Sequence, residues 1–559
     1  MQHGDAAAAS AQAMAAARAR VVRGEFAAAE QVLLSHLRIW REDARALHAL
    51  AAILIETGRP QIAVRVMETL LTLEPHEAQH YLTLAALLDP SGRAAEQVRL
   101  YERMCVALPT HAIAHFNLGC ALRAVGRDED ALAAHRRALT LGIERPEECW
   151  SNIAAILADL NRDAESGEAL AQAVAVNPRW IPAHYNAGLR HEERGEREAA
   201  LAAFRTVLSI DPGWHDARVR IAWLRRCAGP DDPELEALRT ALETPGLGAL
   251  ARENLHFAVG KSLEDCGQYG DAFAAFAAGN LASRDRIRPY DREATEELFR
   301  QLMSRTDAQW LRSVAPVSDK PLVFICGMFR SGSTLLEQML AAHPAITAGG
   351  ELDWFPRRLL YAEPGTYPTR MLEDASFRTA LGAGYMGLVA RRFPGSDRVT
   401  DKRPDNFLHI GLLAALFPQA RFLHTLRDPR DTCISIWCQQ LEDGLGYAAD
   451  LADTAHYLGL TRGLMAHWKA LLPGRILDVS YEHLVRAPEG LLQDVCRFLG
   501  VPFQAEMLAF DTLANRVRTA SVSQVREPLH TGSIGRWRRF APWLVEIEPA
   551  FRAMEDGHG

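Results

Sequence analysis

Residues 322–344 read LVFICGMFRSGSTLLEQMLAAHP and decide the fold of the second half of the chain. This stretch begins with a short apolar run rich in strand-forming residues and turns at Gly327. From Thr334 it continues as a helix-like segment that stops at Pro344. A strand, a glycine loop and a helix in this order are typical of a phosphate-binding loop, because backbone N–H groups and the helix dipole converge on an anion. We therefore predict an anion site at this loop.

The loop departs from the pattern of nucleotide triphosphatases at one position. Ser333 stands where those enzymes carry a lysine that neutralises the β and γ phosphates. The remaining donors would suit a less charged phosphosulfate without a metal ion; they are the backbone N–H groups, the hydroxyls of Ser331, Ser333 and Thr334, and the Arg330 guanidinium. The sequence also lacks an apolar strand that ends in a lone magnesium-holding Asp, and it shows no metal-ligand spacing. A kinase that uses ATP and magnesium is therefore disfavoured.

Further strand and helix pairs follow this loop. The additional strands are RVTDK (398–402), RFLHTL (421–426) and ILDVS (476–480). A helical segment follows each of them: one through His409 and Leu416, one from Asp431, and EHLVRAPEGLLQDVCRFLG. This alternation predicts an α/β domain with a mostly parallel sheet. Ligands gather at the carboxyl ends of such strands, where Lys402, Arg427 and Tyr481 stand.

The first half of the chain repeats with a period of 34 residues. The turn positions are Gly24, Gly58, Gly92, Gly126, then Asn161 after one step of 35, and Gly195. Helix-ending prolines lie 17 residues after four of these turns, at Pro75, Pro109, Pro178 and Pro212. Small alanines lie five residues after four of the turns, at Ala29, Ala63, Ala131 and Ala200. This pattern predicts about six or seven stacked helix pairs with a concave face before residue 285.

Composition limits the function classes. A chain of 559 residues needs two or more domains, and its net charge of −8 disfavours a broad nucleic-acid or anionic-membrane surface. The nine cysteines show no disulfide framework, the alanine-rich start lacks the apolar core of a signal peptide, and no run approaches a membrane-spanning length. We expect a cytoplasmic protein with a helical superhelix at 1–285, a helical connector at 286–318 and an α/β domain at 319–559.

Two known families are similar to this chain. Residues 117–139 and 183–212 resemble the tetratricopeptide repeat, whose stacked helix pairs usually bind peptide or protein. Residues 321–545 resemble the sulfotransferases, most closely the tyrosylprotein sulfotransferases. The motifs that carry this second resemblance are FRSGSTLLEQMLAAHP, GGELDWFP, DKRPDNF, LRDPRDTCIS, VSYEHLV and SQVREPLHTGSIGRW.

The second resemblance implies a donor, a product and a set of site residues. The donor is 3′-phosphoadenosine-5′-phosphosulfate (PAPS) and the product is PAP, with no metal. The implied donor contacts are Arg330, Ser331, Gly332, Ser333 and Thr334 at the phosphosulfate, Arg427 and Ser435 at the 3′-phosphate, and Tyr481 and Arg536 at the nucleotide. The implied catalytic residues are Glu351 as base, Lys402 at the bridging oxygen, Arg330, and Ser521. Arg536 replaces a lysine of the family.

Several alternatives stay open at this stage. Protein tyrosine is the first acceptor hypothesis because a repeat superhelix suits a peptide, with a glycan or small-molecule hydroxyl as the alternative. A non-catalytic nucleotide-binding scaffold is a further reading. Trp537 could stack on adenine or pack, whereas His343 and His424 are interpreted as structural. The family's animal members are membrane-anchored and lack the repeats, and the sequence does not predict an oligomeric state.

Overall fold

The computed structural model describes residues 2–88, 93–361, 367–441, 444–513, 517, 519, 524–526 and 528–556. The chain divides into two compact units between Ala183 and His184. None of the helices in these ranges is long and apolar enough to cross a membrane.

Consecutive helices pack in pairs through the first unit. They are α1 (Gln2–Val22), α2 (Phe26–Ile39), α3 (Ala44–Glu56), α4 (Pro60–Leu73), α5 (Ala78–Leu88), α6 (Ala94–Ala107), α7 (Ala112–Ala124), α8 (Asp128–Thr140), α9 (Pro146–Asp159) and α10 (Asp163–Val176). A continuous apolar core runs from α1 to α7, with Leu50, Leu70 and Leu84 among its buried residues. Each pair therefore buries its apolar stripe only against its neighbours, as expected of a repeat array.

The turns predicted from the 34-residue period are confirmed at the positions that the structure describes. Their φ angles are 75° at Gly24, 70° at Gly58, 75° at Gly126, 60° at Asn161 and 77° at Gly195. This left-handed backbone suits glycine and, less well, asparagine. The predicted turn at Gly92 lies outside the described residues. The predicted close-contact alanines Ala29, Ala63, Ala131 and Ala200 are all fully buried.

The last helix pairs belong to the second unit from His184 onward, together with the connector. Its first helices are α11 (Ile181–Glu193), α12 (Arg197–Ile210), α13 (His215–Leu224), α14 (Pro233–Leu242), α15 (Ala249–Asp265), α16 (Tyr269–Ser283), α17 (Arg292–Arg305) and α18 (Ala308–Ser313). Helix α16 packs directly on the α/β part, because the Phe273 and Trp437 rings lie 4.5 Å apart and Asn280 Nδ2 donates to Trp437 O at 2.8 Å. We call α11–α16 the last repeats.

A parallel sheet forms the centre of the α/β part, which confirms the predicted fold class. Its strands are β1 (Val323–Gly327), β2 (Ile346–Thr347), β3 (Arg398–Lys402), β4 (Arg421–Leu426) and β5 (Ile476–Ser480). They pair in parallel in the order β2-β3-β1-β4-β5. Strand β1 is buried along its whole length, as its uninterrupted apolar sequence predicts. All these carboxyl ends therefore meet at one edge of the sheet.

Helices cover both faces of the sheet. They are α19 (Ser333–Ala341), α20 (Trp354–Pro356), α21 (Thr369–Glu373), α22 (Ala375–Arg392), α23 (Ile410–Leu416), α24 (Pro429–Trp437), α25 (Leu451–Leu471), α26 (Tyr481–Arg486), α27 (Pro488–Leu499) and α28 (Glu548–Asp556). Alternate side chains of β1 enter two separate apolar clusters, with Phe324 in one and Ile325 in the other. This packing fixes the strand ends that carry the candidate site.

Candidate functional site

A cavity of about 760 Å³ opens at the carboxyl edge of the sheet. The loop after β1, Arg427 after β4 and Tyr481 after β5 line it. The last repeats line it as well, through residues that include Trp223, Arg226 and Glu264. The cavity is thus shared between the α/β part and the last repeats, all within the second compact unit.

The loop between β1 and α19 needs glycine at two positions. Gly327 has φ 147° and a Cβ atom there would lie 2.5 Å from Thr425 O. Gly332 has φ 98° and a Cβ atom there would lie 2.6 Å from the Tyr481 ring. Ser331 is buried, and its hydroxyl donates to Met328 O at 2.6 Å, so it holds the loop from within. The helix begins at the next residues, where backbone N–H groups are free of intrahelical partners.

Ser333 and Thr334 form the first turn of α19 and line the cavity. Thr334 Oγ1 also lies 3.4 Å from Thr519 Oγ1, in a segment that comes from the end of the chain. The predicted phosphosulfate residues therefore lie at one helix amino terminus.

Arg330, Arg427 and Arg536 are among the arginines that line this cavity. Burial and the positive charges of the other two lower the pKa of Arg330 to about 9. Arg330 Nε donates to Ser435 Oγ at 3.2 Å, which brings together two predicted donor contacts that are 105 residues apart. Since guanidinium groups stay protonated in proteins, this clustering of positive charge favours an anionic ligand.

Arg427 is held by two backbone carbonyls. Its Nη1 donates to Arg330 O at 3.1 Å and its Nη2 donates to Ser533 O at 2.5 Å. Its guanidinium lies 4.8 Å from the centre of the Tyr481 ring, and burial lowers its pKa. Among the described residues, Arg427 Nε is buried without a hydrogen-bond partner. A buried donor without an acceptor is costly, so a ligand oxygen at this position would be favourable.

The predicted base and the predicted lysine contact each other. Lys402 Nζ donates to Glu351 Oε1, and the Lys402 side chain is fully buried whereas Glu351 keeps 21% of its side chain exposed. Glu351 lines the cavity. The sequence placed Lys402 at the carboxyl end of a strand and Glu351 in a loop, but it did not indicate that they would form an ion pair.

Sequence reasoning missed Glu337, which positions the loop that carries Glu351. Glu337 lies in α19 and is buried, and its carboxylate accepts from Thr400 Oγ1 at 2.6 Å and from Gly350 N at 3.0 Å. Burial raises its pKa although the nearby Lys402 charge opposes the rise. A glutamate within the mostly apolar helix TLLEQML was the available signal, because buried carboxylates need partners.

The segment near residue 535 is attached from two sides. Asp431 in α24 accepts from Gly535 N at 2.6 Å and from Trp537 N at 2.9 Å. Arg536 donates through Nε at 2.7 Å and through Nη2 at 2.5 Å to Glu264 of the last repeats. Ser521, the predicted catalytic serine, lies outside the described residues.

Comparison with known proteins agrees with this geometry. Residues 321–505 match the sulfotransferase family, and residues 114–148 match a tetratricopeptide repeat. The C-terminal region carries a sulfotransferase domain.

Related proteins match different shares of this chain. An uncharacterized protein of Aquifex aeolicus is 28% identical over 72% of this chain and 54% of its own length. Protein-tyrosine sulfotransferase 1 of Danio rerio is 26% identical over 42% of this chain and 70% of its own length. The chain thus spans about half the length of the Aquifex relative. The solved sulfotransferase domain of the Synechococcus PCC 7002 olefin synthase is 24% identical, with a TM-score of 0.31, over 40% of this chain and 90% of that chain.

Two histidines of the sulfotransferase domain are engaged away from the cavity. His343 donates through Nε2 to Pro502 O at 2.8 Å and accepts from Ala345 N at 3.1 Å. His424 Nδ1 donates to Asp478 Oδ1 at 2.8 Å, and burial lowers its pKa. Both histidines are structural, as the sequence indicated.

Trp537 packs rather than lining the cavity. Its ring lies 5.3 Å from the Arg430 guanidinium and contacts the apolar cluster that joins α16 to α24. Of the two readings left open by the sequence, the structure favours packing.

Proposed function

We propose that this chain transfers a sulfuryl group from PAPS to an acceptor hydroxyl. The observation that carries the proposal is the convergence of Arg330, Arg427 and Arg536 on one cavity whose wall also contains Glu351, paired with Lys402. Cations at one end would hold an anionic donor, and a carboxylate at the wall would receive a proton. The sulfotransferase-family match supports the same reaction class.

The donor would be held by residues that follow β1, β4 and β5, together with Ser435 of α24 and Arg536. Gly332, Ser333 and Thr334 at the start of α19, with Arg330, would bind the phosphosulfate. Arg427 and Ser435 would bind the 3′-phosphate, and Tyr481 and Arg536 the nucleotide. The fit rests on the buried Arg427 Nε, which among the described residues has no acceptor in the fold.

The Glu351–Lys402 pair suggests how removal of the acceptor proton and cleavage of the sulfur–oxygen bond occur together. Glu351 would take the acceptor's hydroxyl proton while the acceptor oxygen bonds to sulfur and the sulfur–oxygen bond to PAP breaks. Lys402 would stabilise the negative charge on the leaving oxygen. Because an ammonium group carries three N–H donors, Lys402 could keep its contact with Glu351 while it donates to the leaving oxygen. A catalytic role for Ser521 stays a prediction of the sequence.

The acceptor we propose is a protein tyrosine that the repeats recruit or present. The wall formed by Trp223, Arg226 and Glu264 supports a role for the last repeats, because an acceptor that reaches Glu351 occupies the same cavity. We also propose the three-part organisation 1–285, 286–318 and 319–559 and a cytoplasmic location. A glycan or small-molecule acceptor is an outcome of the labelling experiment that closes the Discussion.

Calorimetric titration of the full chain with PAP, and with ATP plus magnesium, tests the donor. We expect PAP to bind at least about tenfold more tightly than ATP, a difference of about 1.4 kcal/mol that the 3′-phosphate contacts would supply. ATP binding more tightly than PAP would overturn the proposal and favour a nucleotide-triphosphate enzyme.

A further inference from the structure

Glu264 connects the last repeats to the segment that carries Arg536. It lies in the last turn of α15, and its two carboxylate oxygens accept separately from Arg536 Nε and Nη2 at 2.7 and 2.5 Å. Arg539 Nη1 adds a third bond at 3.2 Å. Burial alone would raise the pKa of Glu264, but the positive charges of Arg536 and Arg539 lower it, so the carboxylate is charged.

The contact fixes the orientation of a planar group. A two-point bond between guanidinium and carboxylate sets both the position and the plane of the arginine. Asp431 already fixes the backbone on both sides of Arg536 by accepting from Gly535 N and Trp537 N. The backbone is therefore held by the α/β part, whereas the side chain is held by the last repeats.

We propose that Glu264 is a positioning residue for donor binding, so that the last repeats complete the donor site through Arg536. This inference rests on the proposed function, because it takes Arg536 to contact the nucleotide. Glu264 holds Nε and Nη2 of Arg536, and the same arginine lines the cavity, so this carboxylate sets how the guanidinium is presented to a ligand there. The repeat array is then more than an acceptor-recruiting module, since one of its helices determines how well the donor binds.

Two effects of removing the Glu264 charge oppose each other. A neutral side chain makes the cavity more positive, which favours an anion. It also releases Arg536, whose long side chain must then be ordered by the ligand itself. Arg330 and Arg427 already supply positive charge to the cavity, so we expect the loss of orientation to dominate.

The test measures PAP binding to the full chain by calorimetry for wild type, Glu264→Gln and a matched control, Glu253→Gln. Glu253 lies in the same helix, is buried, and accepts from Arg286, just after α16, at 2.9 and 3.1 Å. Both substitutions should lower the melting temperature. Only Glu264→Gln should raise the Kd for PAP, by about tenfold, as is typical when the partner that orients a ligand-binding side chain is lost.

A double-mutant cycle shows whether Glu264 acts through Arg536. In an Arg536→Gln background, Glu264→Gln should cause no further rise in the Kd for PAP. If Glu264→Gln does not fold, Glu264→Asp, which keeps the charge but shortens the reach, should weaken PAP binding in the same cycle.

The outcomes separate the two proposals. The positioning role is overturned if the Glu264 variants bind PAP with an unchanged or lower Kd. It is also overturned if Glu264→Gln weakens PAP binding equally in the Arg536→Gln background. In either case, PAP binding to wild type still upholds the donor assignment. A wild-type chain that does not bind PAP overturns the proposed function and this inference together.

Discussion

Replacing Arg427 by glutamine separates its support of the fold from its binding of an anion. The side chain donates to Arg330 O and Ser533 O, and glutamine is too short to reach both carbonyls. The unpaired carbonyls should cost about 1–3 kcal/mol of the free energy of unfolding. The loss of a charged hydrogen bond to a ligand phosphate should cost a further 1.5–3 kcal/mol of binding, which raises the Kd for PAP by about 10- to 150-fold.

Arg475→Gln is the matched control. Arg475 is also half-buried and donates to backbone carbonyls, those of Ala414, Phe417 and Ala420, but it precedes β5 and so lies at the opposite edge of the sheet. Both variants should lose stability in chemical denaturation, whereas calorimetry should show weaker PAP binding only for Arg427→Gln. Equal PAP affinity in the two variants would refute the assignment of Arg427 to the anion.

Three further substitutions test the loop, the base and a buried acid. Gly332→Ala should cost about 2–5 kcal/mol of the free energy of unfolding in chemical denaturation, because it combines a positive φ with overlap on the Tyr481 ring. The control is Gly500→Ala, where φ is 70° and no atom lies within 4 Å of an added Cβ. It should cost only about 1–2 kcal/mol in the same assay. Glu351→Gln should lower sulfate transfer at least about 100-fold and leave the Kd for PAP unchanged; retained transfer would remove Glu351 from the base role. Burial raises the pKa of Asp401 from 3.8 to about 7, so the folded state holds its proton more tightly than the unfolded state and stability falls as pH rises between these values. Between about pH 5 and pH 8, wild type should lose about 2–3 kcal/mol relative to Asp401→Asn, and parallel pH curves for the two proteins would contradict this.

Strand β1 could be predicted from the sequence because both of its faces are buried and its apolar run is therefore continuous. Strand β2 has only two residues, Ile346–Thr347, and such a segment carries no readable period. The helix after β4 was predicted to begin at Asp431, but it begins at Pro429, because Asp428 caps it by accepting from Arg430 N and Asp431 N. The helical segment after β5 is two helices, α26 and α27, because Pro488 starts the second one.

The sequence predicted which residues belong to the candidate site, but it did not predict which of them contact each other. The carboxyl ends of the strands gave Lys402 and Arg427, since parallel strands place these ends together. The Glu351–Lys402 pair joins residues 51 apart, and the Arg536–Glu264 pair joins residues 272 apart. Periodicity reports which face of an element is buried, and it contains no information about which distant charge will meet that face. The packing of the last repeats on the α/β part was missed for the same reason.

Transfer of sulfur-35 from labelled PAPS tests the central claim most directly. The purified chain would be incubated with the labelled donor and lysate from its own source, and the products separated into protein, glycan and small-molecule fractions, with Glu351→Gln as the negative control. We predict label on protein as an acid-labile tyrosine ester that depends on Glu351. Label in the glycan or small-molecule fraction would support the sulfotransferase reaction but contradict protein tyrosine as the acceptor. No label in any fraction, although PAP binds tightly, would contradict the assignment as a sulfotransferase.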